Sequence, residues 1–355
     1  MTRKFASPTP LRRPSMTDVA KAAGVSQSTV SMVLNNIEGA RLAVATRARV
    51  LSVAMELGYR LPRRDQTLPF VHPPGLDAEH YLVAYLVDEL STSVHPVQSV
   101  DGARDAAWQH GCVLSVAVTR GNLEQEAAAI ASFKRHPQLL GFIYSTIFTR
   151  EVQVPESLRG APTVLLNCHD THFPVPTVVP GELAGGHAVT AYLLEKGHTR
   201  IGYINGEPWM EAAKDRFKGY RRALVTHDIA FDAQLVRDGD WNTSSGYAAA
   251  RELMRIERPP TAIFCANDLM AIGALDALHE MGLQVPQQVA IMGYDDQEIA
   301  QHTRPALSTA LLPNYEMGRS ALEALMDIAQ STPHKPCTRA RIMKIECPLV
   351  PRDSA

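Results

Sequence analysis

The sequence has no uninterrupted apolar stretch of 18 residues, so no segment of it is predicted to cross a membrane. Residues 1–14 are polar and basic without an apolar core, and we expect neither a signal peptide nor a membrane anchor there. Only five cysteines occur, an odd number with no Cys-x-x-Cys pair, and we expect reduced, partly buried and inert thiols. These absences together predict a cytoplasmic protein.

The sequence also lacks the patterns that would identify an enzyme or a metalloprotein. It contains no phosphate-binding glycine loop and no catalytic triad. His169, His172 and His187 do not have the spacing of metal ligands. The neighbouring carboxylates Asp295 and Asp296 have no nucleophile and base beside them in the sequence. We therefore expect no catalytic activity, no metal and no cofactor.

Charge of one sign is concentrated at one end of the chain. The whole sequence is nearly neutral, with 35 Lys and Arg against 37 Asp and Glu. Residues 1–64 nevertheless hold eleven of the basic residues and only three acidic ones, a net charge of +8, whereas the remainder carries −10. A basic module attached to an acidic body is typical of a DNA-binding head.

The stretch 15–35 predicts two short helices joined by a tight turn. Ser15 and Asp18 form a capping pair at the start of the first helix, Gly24 supplies the freedom of the turn, and Ser26 caps the second helix. The outer face of the second helix can then reach base edges and phosphates in the major groove. Its side chains are those of Gln27, Ser28, Ser31, Met32 and Asn35. The alternative, an ordinary helical hairpin with a polar surface, is disfavoured by the basic charge.

A third helix is predicted over about residues 44–57, and Gly58 ends it. Thr46, Arg47 and Arg49 lie early in this helix, where they can contact the sugar-phosphate backbone. Contacts of that kind give salt-dependent affinity without a sequence preference.

Beyond a proline-rich linker, apolar strands alternate with amphipathic helices. This alternation predicts parallel sheets covered on both faces, with ligands bound beyond the carboxyl ends of the strands. The predicted fold is therefore an all-α helix-turn-helix head joined to an α/β core of two parallel-sheet lobes with a cleft between them. The predicted domains are a head (1–60), a linker (61–79), a first lobe (80–196 with 314–338) and a second lobe (197–313 with 339–355).

In the order of its motifs the chain resembles the lac/gal repressor family of transcription factors over nearly its whole length. The matching motifs in the head are Thr17-Asp18-Val19-Ala20, Ala23-Gly24-Val25-Ser26, Thr29-Val30-Ser31, Thr46-Arg47-x-Arg49-Val50 and Leu57-Gly58-Tyr59. Those in the core are Gly197-His198-x-Arg200-Ile201, Arg216-x-x-Gly219-Tyr220, Pro260-Thr261-Ala262, Ala266-Asn267-Asp268, Gly293-Tyr294-Asp295-Asp296 and the tail from Pro348 to Ser354.

The resemblance implies a homodimer whose paired heads bind a near-palindromic double-stranded DNA operator. It also implies a small effector between the lobes that shifts them and changes operator affinity. By position in the family, Gln27 and Ser28 would read bases, whereas Ser31 and Asn35 would lie near phosphates. The predicted DNA-binding residues are Thr17, Gln27, Ser28, Thr29, Ser31, Met32, Asn35, Arg47 and Leu68.

The same comparison by position implies the effector site. Arg216, Asn267 and Asp295 fall where the family hydrogen-bonds effector hydroxyls, and Trp241 falls where an aromatic ring packs on the ligand. Trp209 is predicted either to stack on the ligand or to have a packing role. The remaining cleft-loop candidates are Tyr315, Val94 and His95.

Three departures from the family pattern affect these expectations. Met32 occupies a position that is usually Arg, so we expect a different operator preference. The stretch 62–69 is short and bounded by prolines, which disfavours a hinge helix there, and Leu68 is the candidate for a minor-groove wedge. Pro180-Gly181-Glu182 replaces a common Asp-Asn pair near the cleft, which puts effector assignments from relatives in doubt.

The predicted effector is a sugar, because a polar clamp with one aromatic wall suits a neutral mono- or disaccharide better than a purine. A nucleobase or another metabolite is the alternative effector. A periplasmic-type binding protein and a sugar-processing enzyme with a DNA-binding head are the alternative functions. No leucine heptad follows the last predicted strand, so we expect a dimer rather than a tetramer.

Overall fold

The computed structural model describes residues 16–25, 29, 30, 33, 44–56, 80–330 and 342–355. The chain forms two compact units, 1–70 and 71–355, which are described separately below. Most of the predicted DNA-binding side chains lie outside the described residues, as does the linker. Gln27, Ser28, Ser31, Met32, Asn35 and Leu68 belong to this group, whereas the backbones of Thr17, Thr29 and Arg47 are helical.

The head contains the helices α1 (Met16–Ala23) and α2 (Val44–Glu56), and the described residues between them, 29, 30 and 33, are also helical. Gly24 has a φ of 64°, and the Val25 N–H donates to the Ala20 carbonyl at 3.1 Å, which forms the predicted turn. The apolar stripes of the three segments close a small core of Val19, Ala20, Ala23, Val30, Val33, Val50 and Ala54.

The first lobe is built on a six-stranded, fully parallel sheet. Its strands are β1 (Tyr81–Val87), β2 (Cys112–Val118), β3 (Leu139–Glu151), β4 (Thr163–His169), β5 (Thr177–Pro180) and β11 (Ile342–Ile345), in the order β11-β5-β4-β3-β1-β2. The helices α3 (His95–Gln109) and α9 (Asn314–Gln330) cover one face, and α4 (Leu123–Lys134) covers the other. Because alternate residues of β1 point to opposite faces, Val83 and Tyr85 join one core while Ala84 and Leu86 join the other.

The second lobe is built on a four-stranded parallel sheet in the order β7-β6-β8-β9. Its strands are β6 (Ile201–Asn205), β7 (Val236–Asp238), β8 (Ala262–Cys265) and β9 (Ala290–Met292), and its helices are α5 (Glu182–Glu195), α6 (Glu211–Thr226), α7 (Thr243–Leu253) and α8 (Asp268–Glu280). A short antiparallel pair, β10 (Thr309–Ala310) and β12 (Leu349–Val350), lies beside it. One continuous core fills this lobe.

Two of the predicted lobe boundaries are corrected by this topology. Helix α5 was assigned to the first lobe, but its Val189 and Leu193 are buried in the core of the second lobe. Strand β11 was assigned to the second lobe, but it pairs with β5 in the first sheet. The chain therefore passes between the lobes near Gly181, before Asn314 and after Ile345.

Four of the five cysteines lie in the described residues, and all four are buried and form no disulfide there. Burial raises the pKa of the Cys112 thiol to about 11 and that of Cys168 to about 12. Thiols with such values are almost fully protonated at neutral pH and are poor nucleophiles. In the described part of the chain, no helix is both long and apolar enough to cross a membrane.

Helices α5 and α6 approach each other closely at Gly219. A Cβ atom added there would lie 2.4 Å from the Leu183 carbonyl oxygen and 2.5 Å from the His187 nitrogen, both of them backbone atoms. The contact therefore requires glycine, because neither backbone can move aside without separating the helices.

We predict that Gly219→Ala destabilises the core by about 1–3 kcal/mol. The sign of the change in the free energy of unfolding distinguishes close helix packing from an ordinary helix interior, where Gly→Ala is stabilising. Urea unfolding measures the shift, and Lys218→Ala, which removes an exposed side chain of the same helix, serves as the control and stays within about 0.5 kcal/mol of the wild type. A stabilised Gly219→Ala protein would contradict the proposed packing.

Candidate effector-binding cleft

A cavity of about 420 Å³ lies between the two lobes, where the carboxyl ends of both parallel sheets meet. Its walls come from loops that follow β1, β6, β7, β8 and β9 and from the end of β3. The first lobe contributes Thr92, Ser93, Val94, His95, Ile147, Phe148, Thr149 and Asn167, and the second contributes Met210, Ala212, Arg216, Trp241, Asn242, Asn267, Leu269, Asp295 and Gln297. Pro180, Glu182, Leu312 and Asn314 line it at or beside the crossings.

The centre of the second-lobe wall is the guanidinium of Arg216, whose residue is only 3% exposed. Its Nε donates to Glu182 Oε2 at 2.7 Å and its Nη2 donates to Glu182 Oε1 at 2.8 Å, a bidentate pair. Its Nη1 donates to the Ala266 carbonyl oxygen and lies 3.2 Å from Asp295 Oδ1. One face of the group lies 3.8 Å from the centroid of the Tyr294 ring.

Asp295 follows β9 and is held in the cleft wall by a backbone with a φ of 105°. Burial opposes the ionisation of this carboxyl, but the charge of Arg216 and the His95 ring outweigh burial, so the pKa of Asp295 is lowered. Its Oδ2 lies 3.5 Å from His95 Nε2 in the first lobe. Its Oδ1 accepts no hydrogen bond among the described residues, although it is buried. An ionised carboxylate, held between Arg216 and His95, therefore lines the cavity.

A second buried carboxyl, Asp268, lies behind this loop at the start of α8. Burial, together with the nearby charge of Asp295, raises the pKa of Asp268 well above its ordinary value. Its Oδ1 accepts from the Thr309 hydroxyl at 2.6 Å and its Oδ2 accepts from the Gln297 N–H at 2.8 Å. Asp268 thus fixes the backbone on which Asp295 is carried and is itself absent from the cavity wall.

The aromatic part of the cleft comes from both lobes. Trp241 packs over Gly206, where an added Cβ would lie 1.9 Å from the indole ring, and its Nε1 donates to Met210 Sδ. Phe148 lines the cavity from β3. The sequence predicted one aromatic wall, and the structure adds a second aromatic ring from the opposite lobe.

Amide and hydroxyl groups complete the lining. Asn267 caps α8 by accepting from the Met270 N–H at 2.9 Å, and its Nδ2 donates to the Trp241 carbonyl at 2.9 Å. On the first-lobe side the Thr149 hydroxyl donates to Asn167 Oδ1 at 2.6 Å. These bonds hold the polar groups in fixed orientations before any ligand is present.

Side-chain contacts between described residues join the lobes across the cleft. His95 approaches Asp295, and His169 at the end of β4 lies 3.0 Å from a carboxylate oxygen of Glu211 at the start of α6. Near the rim, the rings of Phe148 and Trp209 meet edge to face with centroids 5.6 Å apart. A ligand that changes the separation of the lobes has to change these contacts.

Six of the eight predicted effector-binding residues line this cavity together: Val94, His95, Arg216, Trp241, Asn267 and Asp295. Tyr315 lies outside this lining: its hydroxyl donates to Asp105 of α3, and its neighbour Asn314 lines the cavity instead. Trp209 is 59% exposed, lies outside the lining and packs edge to face against Phe148.

Sequence reasoning missed Glu182, Asn167, Phe148 and Gln297 as cleft residues. Only Glu182 carried a signal, namely the replacement of a common Asp-Asn pair at that place in the chain. Phe148 and Asn167 lie in the last residues of β3 and β4, and Gln297 lies in the loop after β9. Their place in the cavity wall is recognised only when the sheet order is known.

The helical head and the two-lobed cleft define a regulator that combines a DNA-binding module with a small-molecule-binding module. Residues 15–61 match bacterial regulatory proteins of the lacI family, and residues 190–355 match the periplasmic binding protein-like domain. The HTH-type transcriptional repressor PurR of Yersinia enterocolitica is 30% identical over 324 residues, which cover 90% of this chain and 92% of that protein. The chain belongs to the lacI family.

Two solved structures are similar over nearly the whole chain. The complex of the transcriptional regulator CelR with cellobiose has a TM-score of 0.64 and 30% identity, covering 97% of this chain and 100% of that one. The lac repressor dimer bound to operator and the anti-inducer ONPF has a TM-score of 0.64 and 26% identity, covering 97% and 99%. These relatives are transcriptional regulators, so the protein is a DNA-binding transcriptional regulator and not an enzyme.

We predict that Arg216→Met destabilises the core by about 3–5 kcal/mol at pH 7, because two buried carboxylates lose their cation. With Arg216 present, the pKa of Asp295 lies below its ordinary value of 3.8, so the stability that ionised Asp295 contributes is present above that pH and is lost below it. Without Arg216, burial raises that pKa instead. The difference in the free energy of unfolding between the wild type and Arg216→Met should therefore narrow as the pH falls from 7 towards 4.

Urea unfolding at several pH values measures this deficit. Arg159→Met is the control, because Arg159 is exposed and its ion pair with Glu156 is long, at 3.8 Å. A deficit that is independent of pH would show that Arg216 acts through packing alone.

Proposed function

We propose that the protein is a repressor whose affinity for its operator is set by a small effector bound in the cleft. The observation that carries this proposal is the position of the cavity, since both lobes line it and the His95–Asp295 contact spans it. A ligand there has unequal affinity for different lobe arrangements, and by linkage it changes the affinity for DNA.

We further propose that the repressor works in the cytoplasm as a homodimer on a near-palindromic operator. Support comes from the basic head, with its net charge of +8, and from the similar lac repressor, which is a dimer on its operator. Two identical heads related by a two-fold axis require two half-sites related by the same symmetry.

A sugar is the effector class that we propose. The CelR relative binds cellobiose, and the carboxylate of Asp295 in the cavity wall is a charged acceptor suited to a hydroxyl group. Trp241 offers an aromatic face for the C–H surface of a pyranose ring. A cavity of about 420 Å³ suits a small ligand of this kind.

A nucleobase is the second candidate. The similarity to the PurR repressor favours it, and so does the presence of Phe148 and Trp241 on opposite lobes, because a planar ring can stack on two aromatic side chains. Thermal-shift screening against neutral sugars and against free purines and pyrimidines separates the two classes. Hits confined to nucleobases would replace the sugar proposal and leave the repressor proposal intact.

For DNA binding, we predict that Gln27→Ala lowers specific operator affinity by about 1–3 kcal/mol, because a recognition-helix amide is lost. Arg47→Ala should weaken binding to all sequences alike, because a phosphate contact carries no sequence preference. Fluorescence anisotropy on operator and on scrambled DNA, at several salt concentrations, measures both. If Gln27→Ala kept the ratio of specific to non-specific affinity, the second helix would not be the reading element.

For the effector, we predict that Asp295→Asn weakens binding about tenfold or more, because a charge-assisted hydrogen bond becomes a neutral one. Operator binding without effector should stay nearly intact. Asp296→Asn is the matched control, since Asp296 pairs with Arg352 at 2.6 Å outside the cavity wall. Titration of the thermal-shift hit, with and without operator, measures both affinities. Equal losses in the two variants would argue against a direct contact.

A further inference from the structure

The guanidinium that dominates the cleft has few hydrogen-bonding positions left for a ligand. The fork formed by Nε and Nη2 is occupied by Glu182, and Nη1 is shared between the Ala266 carbonyl and Asp295. That fork is the part of an arginine that matches the two oxygens of a carboxylate or a phosphate. In this protein it already binds a carboxylate that belongs to the chain.

We propose that Glu182 is a specificity-determining residue that excludes anionic ligands, so that the effector is an uncharged, hydroxyl- or amide-bearing compound. This inference rests on the proposed function, because it concerns the effector of the same cleft. It applies to a sugar and to a nucleobase alike. It excludes sugar phosphates, sugar acids and nucleotides.

The charges around the cavity support the exclusion. Among the lining residues, Glu182 and Asp295 are acidic and Arg216 is the basic one. A smaller cavity of about 220 Å³ shares Glu182 with the first and adds Glu211, Asp215 and Lys344. Counting Asp, Glu, Lys and Arg alone, the two cavities together have four acidic and two basic side chains. An anion entering them meets a net negative wall in a region of low dielectric constant.

Burial makes the Glu182–Arg216 pair a fixed feature. The two side chains are 6% and 3% exposed, and the guanidinium is also covered by the Tyr294 ring. An incoming anion would have to displace Glu182 and leave that carboxylate buried without its cation, which is strongly unfavourable. A hydroxyl group needs no such displacement, because it can donate to the carboxylate of Asp295 while the Glu182–Arg216 pair stays intact.

Inorganic phosphate is the probe that tests this inference without knowledge of the effector. Isothermal titration of the full chain at pH 7.5 compares the wild type, Glu182→Gln and Glu124→Gln. Glu124 is an exposed residue of α4 outside the cavity, so its substitution removes the same charge at a remote place. We expect no saturable binding of phosphate to the wild type or to Glu124→Gln. Glu182→Gln should bind phosphate saturably, at least tenfold more tightly than the weakest affinity that the titration can detect, because the fork of Arg216 is released.

The proposal would be overturned if phosphate bound saturably to the wild type and the substitution Asp295→Asn altered that binding. Unchanged phosphate affinity in Glu182→Gln, or an equal gain in Glu124→Gln, would overturn it as well. If Glu182→Gln does not fold, Glu182→Asn takes its place, and the wild type is titrated with glucose 6-phosphate and gluconate beside glucose. Tighter binding of either anion than of glucose sinks the proposal, and failure of both anions to bind supports it.

The phosphate experiment uses no DNA, so its outcome is independent of operator control. A gain of phosphate binding in Glu182→Gln, together with no effect of any small molecule on operator affinity, would keep the role of Glu182 and remove the proposed effector control. The opposite pattern, an anionic compound that binds the wild type and changes operator affinity, would keep the repressor proposal and remove the exclusion.

Discussion

The buried ion pair between Arg216 and Glu182 is the interaction on which the cleft depends. It joins the first turn of α5 to the middle of α6, and through the Ala266 carbonyl it also joins both helices to the end of β8. Glycine at 219 lets the two helices come close enough for the pair to form. Since a broken buried pair costs far more than an intact one contributes, the network gives the second-lobe wall a single arrangement.

The first-lobe wall is organised by a carboxylate of its own. Asp88 accepts from the Ile147 N–H at 2.8 Å and pairs with Arg150 at 2.7 Å, and the neutral hydrogen bond from Thr149 to Asn167 holds the neighbouring groups. Histidine and aromatic contacts join this wall to the second lobe. Each lobe therefore fixes its own side of the cleft, and the contacts between the two sides are weaker than those within them.

Much of this architecture was predictable from local patterns. The parallel sheets were predicted from the alternation of strands and helices, and the turn at Gly24 was predicted from its glycine and apolar neighbours. The short strands β5, β7, β10, β11 and β12 were not predicted, because two to four residues give no periodicity. Helix α5 was placed in the wrong lobe because the crossing at Gly181 has no linker composition. The role of Glu182 is non-local too, since its partner lies 34 positions later.

The two histidine bridges across the cleft have a consequence for sensitivity. Pairs as exposed as His169 and Glu211 contribute at most about 1 kcal/mol, so this bridge restricts the separation of the lobes only weakly. A preference of a ligand for one lobe arrangement by about 1.4 kcal/mol, a tenfold ratio of affinities, exceeds the contribution of such a bridge. A ligand in the cleft can therefore break this bridge and lose only a small part of its binding free energy.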